Sequence, residues 1–443
     1  MTFRSLAFSN IRGKWRSYSA FFMSSVFSVM IFYIYAAFLA HPDVVGGHLL
    51  AAEKVRQGME FCEYVIVIFS FLFVLYSNSA FLKTRKQEFG LFSLFGMTRL
   101  QIRKLLIYEN MAIAILAILT GIGLGMLFSK LFFMALANLL HMNNSIAFAV
   151  PLQAIWLTAG GFFMLFTLIS LWTALRVSRL EIAEMLRASR QPKGRLVYSP
   201  WFALLAVICL GAAYVMALLL TPANLDLFVL LILIMVMIGT YLLFTQLSIM
   251  LLRAIQKRYS VYYYRTNMIV IAQLSYKMKD NARMLFIVSI LSAVILTVSS
   301  AFYILGYTAQ YDDMKEKAAL MRFIGLFISL LFFIASGSIT YFKLFTELLE
   351  DQMQFQALTR IGMTEGEIRK IINTQIGLIF FVPCIVGIVH SLVAMKALDN
   401  LLQSSNWIYS FVVIGIYLVM QTVYFLVTCN SYMKSILPRR KLL

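Results

Sequence analysis

Long apolar runs dominate the chain: ten of them reach about 20 residues or more. A helix needs roughly 20 apolar residues to cross a bilayer, and only helices or closed barrels satisfy their backbone hydrogen bonds there. The runs are continuous rather than alternating, which excludes a transmembrane barrel. With 61% hydrophobic and 13% charged residues, a soluble protein would expose too much apolar surface. We therefore predict an all-α membrane protein with about ten transmembrane helices.

The predicted spans differ in length and in packing signals. The third is about 48 Å long at 1.5 Å per residue, so we expect it to tilt or to project from the membrane. Gly121, Gly123 and Gly125 in this span predict close helix packing. The first span has no small-x-small cleavage site, so we expect it to be retained. The spans are 18–40, 62–82, 106–137, 151–175, 201–220, 227–252, 284–307, 321–342, 371–395 and 407–428.

Lysine and arginine are unevenly distributed between the two sides of the predicted membrane domain. With the amino terminus inside, the inside segments hold 31 of the 38 basic residues, and the five outside loops hold 5. Because basic residues are enriched on the cytoplasmic side, we predict that both termini are cytoplasmic. The formal charge of +19 then faces anionic membrane lipids and cytoplasmic partners rather than nucleic acid.

Two of the predicted cytoplasmic loops have similar sequences. Residues 88–105 read EFGLFSLFGMTRLQIRKL, and residues 354–371 read QFQALTRIGMTEGEIRKI. Gly-Met-Thr and Ile-Arg-Lys recur at the same places in both stretches, so one constant offset relates the two loops. Each loop follows one predicted span and precedes two more, so spans two to four and eight to ten form two copies of a three-helix unit. Internal duplication is common in transporters.

The first of these loops contains signals for a sharp helical turn. Phe89, Phe92 and Phe95, at a spacing of three, predict a shared helix face. Gly96 is expected to end this helix in a conformation that is costly for residues with a Cβ, and Thr98 to cap a second helix. The pattern predicts a short helix, a turn, and a helix that runs into the membrane. An amphipathic helix on the bilayer surface is the alternative for a single copy, but it does not explain the recurrence.

These loops and several other stretches resemble a known family. The Glu-Phe-Gly at 88–90, the Gly-Met-Thr at 96–98 and Ile102 resemble the signature of FtsX-like permease domains. The stretches 76–83, 274–283 and 337–343 resemble the Bce-type subgroup, the permeases of bacterial ABC transporters that confer resistance to bacitracin and other cell-wall-targeting peptides. The resemblance implies a bacterial plasma-membrane permease that works with a separate ABC ATPase dimer. It also implies association with a membrane sensor histidine kinase.

The resemblance further implies that the two repeated loops couple the permease to its ATPase. One copy of the chain would then suffice for each ATPase dimer, because each repeat engages one subunit. The residues expected to take part are Glu88, Phe89, Gly90, Phe95, Gly96, Met97, Thr98 and Ile102 in the first loop, and Gln354, Phe355, Ile361, Gly362, Met363, Thr364 and Ile368 in the second.

The chain departs from the Bce-type pattern in one place. Those permeases are expected to carry a large extracellular domain between spans seven and eight, where this chain has only the short segment 308–320. A peptide or lipid-linked substrate would then have to bind between helices. The predicted organisation is an interfacial helix with the first span, the first repeat, the central helices, the short outer loop and the second repeat, at residues 1–60, 61–190, 191–307, 308–320 and 321–443.

Other functions agree less well with the sequence. The sequence has no Gly-x-x-x-x-Gly-Lys-Ser/Thr loop, so we expect ATP hydrolysis in a separate subunit and no enzymatic activity here. A second hypothesis is a sensory or scaffold protein that signals to a histidine kinase. A proton-coupled exporter ranks lowest, because the acids nearest the spans, Glu63 and Asp226, lie at span ends. Scattered histidines and cysteines predict no metal site or cofactor, and we expect His390 to be a packing residue.

The charge asymmetry leads to a topology test. In a chain whose native cysteines are replaced by alanine, a cysteine placed in 308–320 should react with an impermeant thiol reagent added to intact cells. A cysteine at Arg187 should not react, because that loop carries inside-type positive charge. The reverse labelling pattern would overturn the orientation.

Overall fold

The computed structural model describes residues 9–10, 15–42, 53–139, 149–178, 199–221, 224–264, 266–307, 312–402 and 407–436, with some helix side chains left undescribed. These residues are helical apart from short connections, which confirms the all-α prediction. The helices are α1 Trp15–Leu39, α2 Glu53–Leu94, α3 Arg99–Leu139, α4 Leu152–Ser178, α5 Pro200–Leu218, α6 Leu225–Leu242, α7 Ser248–Gln256, α8 Tyr259–Tyr262, α9 Asn267–Tyr307, α10 Asp312–Arg360, α11 Glu365–Leu402 and α12 Trp407–Ile436. A π-helical turn, Leu243–Leu247, joins α6 to α7.

Many of these helices suit a bilayer. Within the described residues, eight segments are long and apolar enough to cross a membrane, and they match eight of the predicted spans. The other two predicted spans, 62–82 and 321–342, lie in α2 and α10, whose side chains are described only in part. The full count of ten therefore stays a prediction. The predicted interfacial helix of the amino terminus lies mostly outside the described residues.

Several helices are much longer than a bilayer is thick. α2, α3 and α10 contain 42, 41 and 49 residues. A helix of about 40 residues is about 60 Å long, twice the thickness of the hydrocarbon core. This length is in keeping with the prediction that the third span tilts or projects from the membrane. The prediction of a separate short helix before the first turn is wrong, because α2 runs unbroken to that turn. Extending an existing helix costs less than nucleating a new one.

The chain divides into two compact units, one with residues 1–192 and 310–323 and the other with residues 193–309 and 324–443. In the first unit, α1 packs along α3 and also contacts α2 and α4. In the second unit, α9 packs along α11 and also contacts α12, while α5 pairs with α6. The order of packing is thus similar within each unit.

In each unit, a glycine of the repeat packs closely against the helix that precedes the repeat in the chain. A Cβ on Gly121 of α3 would lie 2.7 Å from Val29 of α1, and one on Gly387 of α11 would lie 2.5 Å from Ser292 of α9. The offset between these two glycines equals the offset between the duplicated loops. α1 and α9 therefore take matching places beside the two predicted three-helix repeats.

The predicted glycine packing of α3 holds for two of its three glycines. A Cβ on Gly125 would lie 2.6 Å from Tyr33, on the same face as Gly121. Gly123 has nothing within 4 Å, so its prediction is wrong. Residues two apart in a helix point about 200° apart, and only one face of α3 can press against α1.

A polar contact recurs at matching positions in both repeats. Asn10 Nδ2 donates a hydrogen bond to Glu109 Oε1 at 2.9 Å, and Gln375 Nε2 donates to Gln273 Oε1. Glu109 and Gln375 are related by the offset of the duplicated loops, and Asn10 and Gln273 by the shift that relates Val29 to Ser292. This hydrogen bond joins the segment that precedes each repeat to the second helix of that repeat, α3 or α11.

The first unit buries a charged pair beside this contact. Arg85 of α2 donates two hydrogen bonds to Glu109 of α3, and their side chains are 1% and 0% exposed. The guanidinium also lies 5.0 Å from the ring centres of Tyr18 and Phe89, and Arg85 Nε donates to Glu88 at 3.1 Å. Glu109 is the fourth residue of the third predicted span, near its end, and it was not among the acids that the sequence pointed to.

The second unit buries a different set of charges. Lys277 of α9 donates to Asp351 of α10, which also accepts a hydrogen bond from Tyr432 of α12. Lys343 donates to Glu347 at 2.6 Å, and Lys277 lies 3.6 Å from the same carboxylate. A cavity of about 20 Å³, enough for one water molecule, opens among these groups. The network ties together α9, α10 and α12.

The glycine contact between α1 and α3 predicts a position-specific effect. Gly121→Leu should lower the thermal unfolding midpoint in detergent, because overpacking a tight contact costs about 1–3 kcal/mol. Gly123→Leu on the open face of the same helix is the matched control and should leave the midpoint nearly unchanged. Equal effects of the two variants would contradict close packing at Gly121.

The buried pair predicts a non-additive effect. Glu109→Gln should destabilise the chain by about 3–5 kcal/mol, because it leaves the Arg85 guanidinium buried without its main partner. The double variant Arg85→Met with Glu109→Leu removes both charges and should recover much of that loss. Thermal unfolding in detergent measures both, with the exposed Arg99→Gln as control. Additive losses would show that the two residues do not act as a pair.

Candidate functional site: two matched turns

The first turn connects α2 to α3 through a glycine in the left-handed region. Gly96 has a φ of 88°. The amide of Met97 donates to the carbonyl of Phe92 at 3.0 Å, and the amide of Gly96 donates to that of Ser93 at 3.1 Å. These two bonds form a Schellman motif, which satisfies the last carbonyl groups of the helix. The carboxyl end of α2 is therefore capped, and the direction in which the chain leaves it is fixed.

The second turn, between α10 and α11, has the same geometry. Gly362 has a φ of 104°. The amide of Met363 donates to the carbonyl of Leu358 at 3.2 Å, and the amide of Gly362 donates to that of Thr359 at 3.1 Å. The prediction that Gly96 and Gly362 occupy turns unfavourable for other residues is confirmed.

Each outgoing helix begins with a capping box. Thr98 donates its amide to Gln101 Oε1 at 2.8 Å and accepts the amide of Gln101 on its hydroxyl at 3.3 Å. Thr364 and Glu367 make the same reciprocal pair at 3.0 and 3.3 Å. Thr98 is the helix cap that the sequence predicted. Its partner Gln101 and the counterpart Glu367 were missed, although Thr-x-x-Gln and Thr-x-x-Glu are readable capping signals.

One side of each turn is buried and holds it in place. Phe89 and Ile102 are 0% and 2% exposed and join a core cluster with residues of α4. Their counterparts Phe355 and Ile368 are 2% and 0% exposed. These four predicted site residues therefore pack within the protein, and any role in coupling is to position the turn.

The opposite side of each turn is exposed. Phe95 is 84% exposed, and its counterpart Ile361 is 81% exposed. The prediction that Phe95 shares a helix face with Phe89 and Phe92 is wrong. Six residues advance a helix by about 600°, which places Phe95 about 120° away from Phe89, and α2 ends at Leu94 before reaching it.

The remaining predicted site residues lie between these extremes. Glu88 is half-buried against Arg85, and Gly90 is buried. Gln354, Met97 and Met363 are half-buried, while both threonine caps are exposed. The first turn therefore has a buried base and an exposed tip. The second turn has the same arrangement with different side chains.

A groove opens beside the second turn. Its walls come from the start of α9 and the start of α11, and it includes the cap Thr364 and its partner Glu367. The other lining residues are Thr266, Ile269, Met363, Gly366 and Lys370. The second turn therefore presents a concave surface of mixed polar and apolar groups in addition to its apolar tip residue.

His390 of α11 was predicted to pack rather than to carry protons. It is buried, and its ring nitrogens lie 2.7 Å from the Tyr214 hydroxyl and 2.9 Å from the Thr240 hydroxyl. It therefore joins α11 to α5 and α6, as a packed and satisfied histidine. In the part of the chain that the structure describes, no group of three His, Cys, Asp or Glu residues is arranged to hold a metal ion.

The chain is similar along its length to two proteins of Bacillus subtilis. It is 28% identical to the uncharacterized ABC transporter permease YvcS over 99% of this chain and 100% of that protein. It is 27% identical to the ABC transporter permease protein YxdM over 98% of this chain and 100% of that protein. The Bacillus subtilis bacitracin export permease protein BceB is 24% identical over 73% of this chain and 51% of BceB.

The length of the first alignment shows an internal difference. It extends over 645 positions although this chain has 443 residues, so roughly 200 positions of YvcS face a gap here. The model of the FtsX-like permease C-terminal family matches residues 63–182 and 326–437, a little over half of the chain. The matched ranges contain both turns, and each begins near the predicted span that leads into its turn. The chain therefore belongs to the FtsX-like permease family.

Proposed function

We propose that this chain is the membrane permease subunit of a Bce-type ABC transporter in the bacterial plasma membrane, with both termini in the cytoplasm. Its partner is an ABC ATPase dimer, and it acts on cell-wall-targeting antimicrobial peptides such as bacitracin. The observation that carries the proposal is the pair of turns, which share a rigid backbone geometry and an exposed tip within FtsX-like segments. The names of two full-length relatives as ABC transporter permeases support it.

The helices around the turns suit mechanical coupling. No flexible segment separates either turn from the membrane, because α2 and α10 run directly into the turns and α3 and α11 leave them as helices of 41 and 38 residues. A displacement at the tip therefore moves whole helices. Closure of an ATPase dimer on nucleotide would bias the helices between two arrangements, which is how a bound partner drives a transporter.

Buried charged residues connect the helices that lead into the turns to their neighbours. Arg85 precedes Gly96 by the same number of positions as Asp351 precedes Gly362, so the two residues are counterparts. Both lie about 17 Å along the helix from their turn, at about 1.5 Å per residue. Each is bound to a neighbouring helix, Arg85 to Glu109 and Asp351 to Lys277. Movement of a turn is thus passed to the helices packed beside it.

The proposed substrate follows from the relatives and from the helix surfaces. Two bacitracin export permeases, from Bacillus subtilis and Halalkalibacterium halodurans, are each 24% identical to part of this chain. We infer that a peptide or lipid-linked ligand binds between helices, since α10 begins at Asp312, within the predicted loop 308–320, and only residues 308–311 separate it from α9. Trp156, Trp172 and Trp201 are 71%, 53% and 78% exposed, a surface that suits lipid and amphipathic ligands.

A second function is favoured by the internal gap against YvcS. A permease with a reduced outer region could keep a sensory or scaffold role and signal to a membrane histidine kinase without transport. Purification separates the two functions. Recovery with an ABC ATPase whose turnover rises with peptide supports the permease role, and recovery with a kinase but no ATPase supports the sensory role.

The glycine turns provide a direct test of coupling. Gly96→Val and Gly362→Val should each weaken ATPase binding and peptide-stimulated ATP hydrolysis, because a β-branched residue at positive φ costs about 1–3 kcal/mol and distorts the turn. Expression and membrane insertion should survive. Gly160→Val is the control, since Gly160 is helical with open space around it. Wild-type ATPase recovery and turnover in both turn variants would overturn the coupling role.

A further inference from the structure

The two turns have the same backbone but different exposed surfaces. Beside the tip of the first turn, Leu91, Leu94 and Leu100 are 47%, 61% and 64% exposed, and Phe95 completes an apolar patch. We call these four residues the first tip. The matching positions of the second loop are occupied by Ala357, Arg360, Ile361 and Gly366, which we call the second tip. All four residues of the second tip are exposed, but only Ile361 is large and apolar.

The charges at the start of the outgoing helices also differ. After its cap, α3 begins with Arg99, while α11 begins with Glu365 and has Glu367 in the same turn. The two helices then carry the same Arg-Lys pair, at 103–104 and 369–370. The contrast therefore lies at the start of the outgoing helices, where α3 has one basic residue and α11 has two acidic residues, while Arg360 adds one basic residue to the second tip.

Arg99 lies where a cation does not help its own helix. The amino-terminal end of a helix carries partial positive charge, which favours acids such as Glu365 and disfavours bases. Arg99 is exposed at that end of α3. Among the residues that the structure describes, no contact compensates for this unfavourable position, and a residue that breaks a local rule in this way points to a partner. The partner that suits it is an acidic group at the rim of an apolar socket.

Resting on the proposed function, we propose that the two turns bind the ATPase dimer unequally. The first tip enters an apolar socket with an acidic rim on one ATPase subunit and supplies most of the binding free energy. The second tip makes a smaller and more polar contact with the other subunit, through Ile361, its acidic helix start and the adjacent groove. A few large side chains, many of them aromatic, dominate affinity when they are buried at the centre of an interface, and exposed polar contacts at its rim contribute little.

The test compares matched substitutions at the two tips. The full-length permease is reconstituted in nanodiscs, and binding of its cognate ATPase is measured by titration. Phe95→Ala should weaken binding by about tenfold or more, and Ile361→Ala by about threefold or less. Phe95 and Ile361 are 84% and 81% exposed, so neither substitution threatens the fold. Thermal unfolding of each variant verifies this.

A second pair exchanges the surfaces themselves. Leu94→Arg gives the first tip the residue of the second and should weaken binding by about tenfold, because it places a charge in an apolar socket. Arg360→Leu makes the reverse change in the second tip and should leave binding unchanged or stronger.

The outcomes separate this inference from the function on which it rests. Equal losses for Phe95→Ala and Ile361→Ala, or a larger loss for Ile361→Ala, would overturn unequal binding and leave the coupling role intact. Unchanged ATPase binding in all four variants would overturn the coupling role together with the inference. A loss confined to the first tip in both pairs supports it.

Discussion

The interior of a bilayer offers no hydrogen-bond partners to a polypeptide backbone, and this constraint shapes the protein far beyond the membrane. Every spanning segment must be helical, and a helix once formed extends at little cost. α2, α3 and α10 are accordingly longer than the hydrocarbon core is thick. Each turn is thus flanked directly by long continuous helices, and only the turn interrupts them.

The two repeats keep their geometry while their chemistry has diverged. The glycine contact and the polar contact to α3 and α11 recur at matching positions. The buried charges do not recur, because the counterpart of Arg85 is Asp351 and the counterpart of Glu109 is Gln375. Arg85 and Asp351 still have partners of opposite charge, Glu109 on α3 and Lys277 on α9. Burial requires pairing, but it does not fix which helix supplies the partner.

The sequence predicted well the features that local chemistry determines. The apolar runs predict helices, and the Gly-Met-Thr pattern predicts a turn with a glycine at positive φ, which Gly96 and Gly362 confirm. It failed where three-dimensional packing decides. The pairing of Arg85 with Glu109 links residues 24 positions apart on different helices, and no local sequence pattern predicts it. The exposure of Phe95 depends on where α2 ends, which an aromatic spacing of three cannot show.

A turn that transmits force must resist bending at its own dihedral angles. Both turns meet this requirement by closing the incoming helix with a Schellman motif and opening the outgoing helix with a capping box, with a single glycine between them in the left-handed region. Phe89 and Phe355 anchor the buried side. Because the backbone is the same in both repeats, the exposed side chains are free to differ without loss of rigidity. Duplication followed by substitution of the exposed residues can therefore give one chain two turns that are equally rigid but bind a partner with different affinity.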